Sequence, residues 1–215
     1  MEKLYNAYPK TAYFYPEADM QIAYVTSNKT KFDEACYILF ENPTHPIPYQ
    51  IQHISLHLEE IQGTPQEIAK HKAKEAHTKL KCPVIIDDIS VHCPALGGLP
   101  GPYIRSFLEA LGEEGLYRLI ANYEDHTCYP TCTIGFLDDE RVEPIIFQSS
   151  IKAKIVAPRG DISRHGKLSW NTIVQPDGCD KTAAEMTLEE ISYISARGMS
   201  LKKLKAHLQT TYFNS

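Results

Sequence analysis

Val84-Ile85-Ile86-Asp87-Asp88-Ile89-Ser90, followed by Ala95-Leu96-Gly97-Gly98-Leu99-Pro100-Gly101-Pro102-Tyr103-Ile104-Arg105-Ser106-Phe107, joins an apolar run, a pair of carboxylates and a Gly- and Pro-rich loop. Residues 84–86 form a short β-branched run entered through Pro83, and they read as a buried strand. Asp87 and Asp88 fall where that strand is expected to end. Adjacent carboxylates at the end of a buried strand cost free energy unless something compensates them. A divalent cation is the usual compensation, since hard oxygen ligands suit Mg²⁺. Neighbouring side chains on a strand point to opposite faces, so one Asp can hold metal while the other works elsewhere. Asp is also a common turn residue, and a plain turn stands beside the metal reading. The Gly-Gly-x-Pro-Gly-Pro run favours function, because it fixes a long, bent loop beside the carboxylates.

Upstream, residues 20–25 read as a first strand, and Thr26-Ser27-Asn28-Lys29-Thr30-Lys31 leads into a helix with Phe32, Ala35, Cys36, Leu39 and Phe40 at helical spacing. A strand, a small polar turn and a helix N-terminus can form an anion site, to which Lys31 adds a full charge. The same residues also make an ordinary N-cap, with Asn28 or Thr30 capping and Lys31 solvated. Residues 43–48 read as a loop and 49–58 as a strand. Thr64 or Pro65 opens a helix reaching Leu80, with Ile68, Ala69, Ala73, Ala76 and Leu80 on one face. Lys70, Lys72, Lys74 and Lys79 lie on the other, a pattern usual for a solvated face.

Downstream, residues 103–111 and 114–121 read as helices, 128–137 as a strand and 145–156 as one long strand closing a hairpin. Residues 168–174 read as a loop or short strand, and 175–178 as a turn. Thr187 starts a helix with Glu190 at capping-box spacing. Ser200 is expected to start the last helix, with Leu201, Leu204 and Leu208 inward. This order of strands and helices predicts an α/β fold with a mixed sheet. Residues 1–19, rich in Tyr and Pro and without periodicity, read as an N-terminal extension to a single domain over 20–215.

Composition narrows the classes. The chain has 215 residues and is 43% hydrophobic, enough for a sizeable core in one domain. A net charge of −5 argues against a nucleic-acid groove. No apolar run approaches membrane-spanning length, and the start lacks the regions of a signal peptide. The six cysteines show no paired zinc-like spacing and are expected to be reduced thiols of a cytoplasmic protein. Of Cys128 and Cys132, one is expected in the core and the other exposed.

The Asp87-Asp88 pair with Ala95-Leu96-Gly97-Gly98-Leu99-Pro100-Gly101-Pro102-Tyr103 resembles the inosine triphosphate pyrophosphatase family, also called the Ham1 or non-canonical purine nucleotide pyrophosphatase family. The likeness runs from about Ile22 to about Leu208. It implies a long, bent central sheet, two lobes around a cleft, and a homodimer. It also implies an enzyme that hydrolyses nucleoside triphosphates of ITP, dITP or XTP type to monophosphate and pyrophosphate with Mg²⁺. By resemblance Thr26, Asn28 and Lys31 bind the triphosphate, with Ser27 replacing a glycine. Lys72 contacts phosphate, Glu60 and Asp87 hold metal, with Asp88 as a further possible ligand, and Asp88 acts as base, although the roles of the two Asp residues can be exchanged. Glu59 is the rival to Glu60. The family's base-binding Phe-Gly-Trp/Tyr-Asp-Pro is here Leu168-Ser169-Trp170-Asn171-Thr172. A family Lys is Ile191, and Ser-His-Arg is Ser195-Ala196-Arg197. Trp170, Asn171, Ser195 and Arg197 are the expected base contacts, and the lost partners imply an altered or broadened base preference. Two rival readings are a nucleotide-binding protein without turnover and a phosphohydrolase of different nucleotide specificity.

Overall fold

The structure is a computed structural model and describes residues 20–40, 47, 49–161 and 169–213. The expected extension at 1–19, most of the loop at 43–48, and Leu168 lie outside the described residues. Strand β1 (Met20–Val25) has Ile22 and Tyr24 buried on one face and Ala23 and Val25 on the other, the period-2 pattern of a strand covered on both sides. Helix α1 (Lys29–Phe40) buries Ala35, Cys36, Ile38 and Leu39 and returns the chain to β2 (Tyr49–Ile54), which pairs parallel with β1. The second strand is shorter than the 49–58 expected. Helix α2 (Pro65–Leu80) starts at a full capping box: Thr64 accepts from the Glu67 amide, and the Glu67 carboxylate accepts from the Thr64 amide.

The strand β3 (Val84–His92) is longer than the sequence suggested. It does not end at the Asp pair; Asp87 and Asp88 face Ile134 and Thr133 of β5 (Thr127–Leu137) within a continuous antiparallel ladder. Nine paired positions outweigh the turn preference of two Asp residues whose side chains find cationic partners. The Gly-Pro stretch then folds back as β4 (Pro100–Gly101) against Val91 and His92. Gly97 and Gly98 sit at φ 64° and 94°, a consecutive left-handed pair that side chains resist. Helix α3 (Ile104–Ile120) is broken at Gly112, at φ 66° and ψ −179°, close to the boundary between the two helices expected there.

The long strand expected over 145–156 is two, β6 (Ile145–Ser150) and β7 (Ala153–Ile155). They pair with opposite ends of β5, so the chain bends between them. Val174–Pro176 forms β8, a strand where a turn was expected to begin. Helix α4 (Leu188–Ile194) is capped by Thr187 and Glu190 as expected. The last helix, α5 (Ala196–Phe213), begins four residues before Ser200. Ser195 accepts from the Gly198 amide, while the Ser200 hydroxyl donates to the Cys132 carbonyl from inside the helix. Leu201, Leu204 and Leu208 are buried. Cys128 and Cys132 are both buried, which corrects the expectation of an exposed thiol; an even spacing on one strand puts both on one face. All six cysteines are free.

The eight-stranded sheet is ordered β2-β1-β3-β5-β7-β8, with β4 beside β3 and β6 beside β5. Among the described residues, three apolar clusters stabilise it. One packs α1 and α5 on β1, β3 and β5, a second packs α2 on the opposite face, and a third joins α3 to Val91, Ala153, Ile155 and Val174. The third cluster lies at the other end of β3 and β5, so the two long strands run between two lobes. β1 stops opposite Ile86, and β3 continues past its end. The cleft opens there, outside the carboxyl end of a parallel strand.

Candidate active site

Strand alternation separates Asp87 from Asp88. Asp87 projects to the α1 and α5 side, as do Ile85 and Tyr24. Its side chain is 0% exposed. The Tyr24 hydroxyl donates to Oδ2 at 2.8 Å, Arg197 Nε donates to Oδ2 at 2.9 Å, and Lys31 Nζ donates to Oδ1 at 3.2 Å. Lys31 also donates to the Asp87 carbonyl, and the Cys132 thiol lies 3.9 Å from Oδ1. Arg197 Nη1 reaches Glu34 of α1. Burial by itself would raise the Asp87 pKa, but Arg197 and Lys31 outweigh it and hold the carboxyl well below the usual range. Burial and the Asp87 charge push the Tyr24 phenol up. For Arg197, burial works against the charge, while Asp87 and Glu34 keep it cationic.

Asp88 projects to the opposite side, toward α2. Lys72 Nζ donates to Asp88 Oδ1 at 2.9 Å and lies 2.7 Å from Glu60 Oε2. The Lys72 side chain is 9% exposed, so it does not belong to the solvated face on which it was grouped with Lys70, Lys74 and Lys79; it stands with Ile68, Ala69, Ala73 and Ala76 on the buried face of α2. Burial alone would lower its pKa, but Asp88 and Glu60 raise it. Glu60 is mostly exposed at the cleft, whereas the rival Glu59 faces His71 and gives its amide to Glu75. Among the described residues no three of His, Cys, Asp and Glu converge as a ready-made metal cluster.

Between these groups lies the turn at residues 26–31. The Asn28 side chain accepts from the amides of Thr30 and Lys31, the Thr26 hydroxyl accepts from the Asn28 amide, and the capping reading is met. Lys31 is not solvated; it reaches back to Asp87. Ser27 does not enter the left-handed region, where Lys81 is the one non-glycine among the described residues. The turn therefore forms without the glycine expected from the resemblance.

The cleft, of about 970 Å³, is lined by residues 26–28, Lys31, Lys72, Glu60, Asp87 and Asp88 at its charged end. Its lining also includes Ser169, Trp170, Asn171, Ile191, Ser195 and Arg197, the last bonded to Asp87. All the expected site residues thus border one cleft, although Ser195 serves as a cap and Arg197 is tied to two carboxylates. Tyr24, Glu34 and Cys132 were missed from the sequence. Glu34 was within reach of reasoning, since it lies three residues from Lys31 on the same helical face; nothing local marked Tyr24 or Cys132.

Cations and carboxylates gathered in one cleft at the carboxyl end of a parallel strand, with Trp170 in its lining, suit an anionic ligand on a two-lobed α/β fold. Residues 22–207 match the model of the Ham1 family, and the chain belongs to that family. It is 38% identical over 191 residues to an inosine triphosphate pyrophosphatase of Ajellomyces capsulatus, covering 89% of this chain and 98% of that protein. A protein of the same name from Yarrowia lipolytica is 36% identical over 189 residues, covering 88% and 96%. The fold matches the Ham1 protein of Staphylococcus aureus with a TM-score of 0.73 at 23% identity, over 89% of this chain and 99% of that one. It matches a HAM1 protein of Coxiella burnetii with a TM-score of 0.74 at 22% identity, again over 89% and 99%.

Proposed function

We propose that this chain is a Mg²⁺-dependent nucleoside triphosphate pyrophosphohydrolase that acts on non-canonical purine nucleotides, ITP, dITP and XTP, and releases monophosphate and pyrophosphate. The relatives named as inosine triphosphate pyrophosphatases support the substrate class. The observation that carries the reading is buried Lys72, bridging Glu60 and Asp88 at the mouth of the cleft. Two carboxylates already share one positive charge there. A Mg²⁺ ion is commonly held by one or two carboxylates together with substrate phosphates, and Glu60, mostly exposed beside the cleft, fits that donor set. Bound there, the metal would offset charge on the phosphoryl oxygens. Asp87 is engaged by protein donors and in this reading sets Lys31 and Arg197 in place.

Lys31, Lys72 and the turn at residues 26–31 bind the triphosphate. Asp88 Oδ1 takes the Lys72 bond, and the other carboxylate oxygen accepts the proton of a water that attacks the α-phosphorus. The water oxygen bonds to phosphorus, and the bond to the pyrophosphate oxygen breaks. Trp170 offers a ring face to the base, and Asn171 offers both a donor and an acceptor. With Ile191 and Ala196 in place of family Lys and His, and Arg197 drawn to Asp87 and Glu34, base discrimination is relaxed. A homodimer and a cytoplasmic site of action complete the reading, the latter supported by six free thiols.

A nucleotide panel with Mg²⁺, measuring pyrophosphate and orthophosphate separately, tests it. Pyrophosphate release is expected, with kcat/KM for ITP over ATP below ~10³. A larger ratio would sink the relaxed preference and leave a conventional enzyme. Orthophosphate release would favour a different phosphohydrolase, and tight binding without turnover a nucleotide-binding protein.

A further inference from the structure

His53 of β2 lies behind the turn at residues 26–31. Its Nε2 is 2.8 Å from the Thr26 carbonyl oxygen, and its ring stacks on Phe32, in the first turn of α1, at 4.9 Å and 22°. A carbonyl oxygen only accepts, so Nε2 carries the proton and donates. The Thr26 amide donates to Ile54, the next residue of the same strand. Both backbone polar groups of Thr26 are therefore fixed from β2.

In a trans peptide the carbonyl and the following N–H point in opposite directions. Holding the Thr26 carbonyl toward His53 turns the Ser27 N–H the other way. Ser27 is exposed and lines the cleft, and its N–H forms no hydrogen bond among the described residues. Rotation of this one peptide would replace the donor with a carbonyl oxygen and repel a polyphosphate.

We propose that His53 is a positioning residue that pins the 26–27 peptide so that the Ser27 N–H meets the polyphosphate chain. This rests on reading residues 26–31 as the polyphosphate turn. The test compares His53→Phe, which keeps the stack and loses the donor, with His53→Gln, whose amide restores a donor. Calorimetry with inorganic tripolyphosphate and with inosine, both in Mg²⁺, is run beside steady-state kinetics on ITP. His53→Phe is expected to weaken tripolyphosphate binding and raise KM for ITP roughly tenfold, about the worth of one charge-assisted hydrogen bond, with inosine affinity and kcat little changed. His53→Gln should recover most of the loss. Unchanged tripolyphosphate binding in His53→Phe, a parallel loss of inosine binding, or no recovery in His53→Gln would each overturn the assignment. Should the Phe variant not fold, His53→Met, also without a donor, takes its place. A parent protein that binds tripolyphosphate but cleaves no nucleotide would overturn the pyrophosphatase reading and leave the role of His53 standing; one that binds no tripolyphosphate would overturn both.

Discussion

Asp87 and Asp88 have different surroundings, and their substitutions should fail differently. Asp88→Asn removes the proposed proton acceptor while keeping shape, so kcat is expected to fall by roughly 10²–10⁴ with nucleotide affinity far less affected. Near-normal turnover would reject Asp88 as base. Asp87→Asn leaves Arg197 and Lys31 short of a buried counter-charge, and breaking a buried pair costs about 3–5 kcal/mol. The Asp87 pKa is lower in the folded chain than in the unfolded one, so its contribution is present above the ordinary carboxylate pKa of about 4 and is lost as pH falls below it. Urea unfolding of parent and variant should therefore differ most near neutrality and converge in acid. A gap that stays constant down to pH 3 would refute an electrostatic role for Asp87.

At the scale of elements, α2 delivers Lys72 to the acid pair, and its start is set by the Thr64–Glu67 capping box. Thr64→Ala should cost about 1 kcal/mol, or roughly 2–4 °C in Tm for a chain of this size, with kcat unchanged because Lys72 lies two turns inside the helix. A loss of activity without a shift in Tm would show that the cap shapes the site and not only the helix. The same element shows how Lys72 was misplaced. Four residues after Ile68 and four before Ala76, it stands on the buried stripe of α2, and only its residue type argued for solvent; it is covered where Glu60 and Asp88 approach it. Long side chains bury their stems while the charged head finds a partner.

For the whole molecule, the two lobes share β3 and β5, and the proposed substrate lies between them. A non-hydrolysable triphosphate analogue at about 100 times its Kd should stabilise the fold by about 2.7 kcal/mol. At the scale above that is roughly 5–10 °C in Tm, read by calorimetry with Mg²⁺. No shift at saturation would remove the cleft as the nucleotide site.

The sequence alone determined the alternation of strands and helices, because apolar periodicity and capping residues are local: β1, α2 with a start at Thr64 or Pro65, and the Thr187 cap of α4 were all legible. The Asp87-Asp88 pair also pointed to a cleft of the fold, which both residues line. Tertiary structure decided what each carboxylate does. Only the nine-position ladder with β5 carried β3 past the Asp pair, and only the packing of α1 and α5 on one face brought Tyr24, Lys31 and Arg197 to Asp87. Arg197 lies 110 residues from Asp87 in the chain, and no local pattern encodes a contact at that separation. Burial then fixed the charges, since a carboxylate removed from water keeps its charge only where distant cations are folded against it.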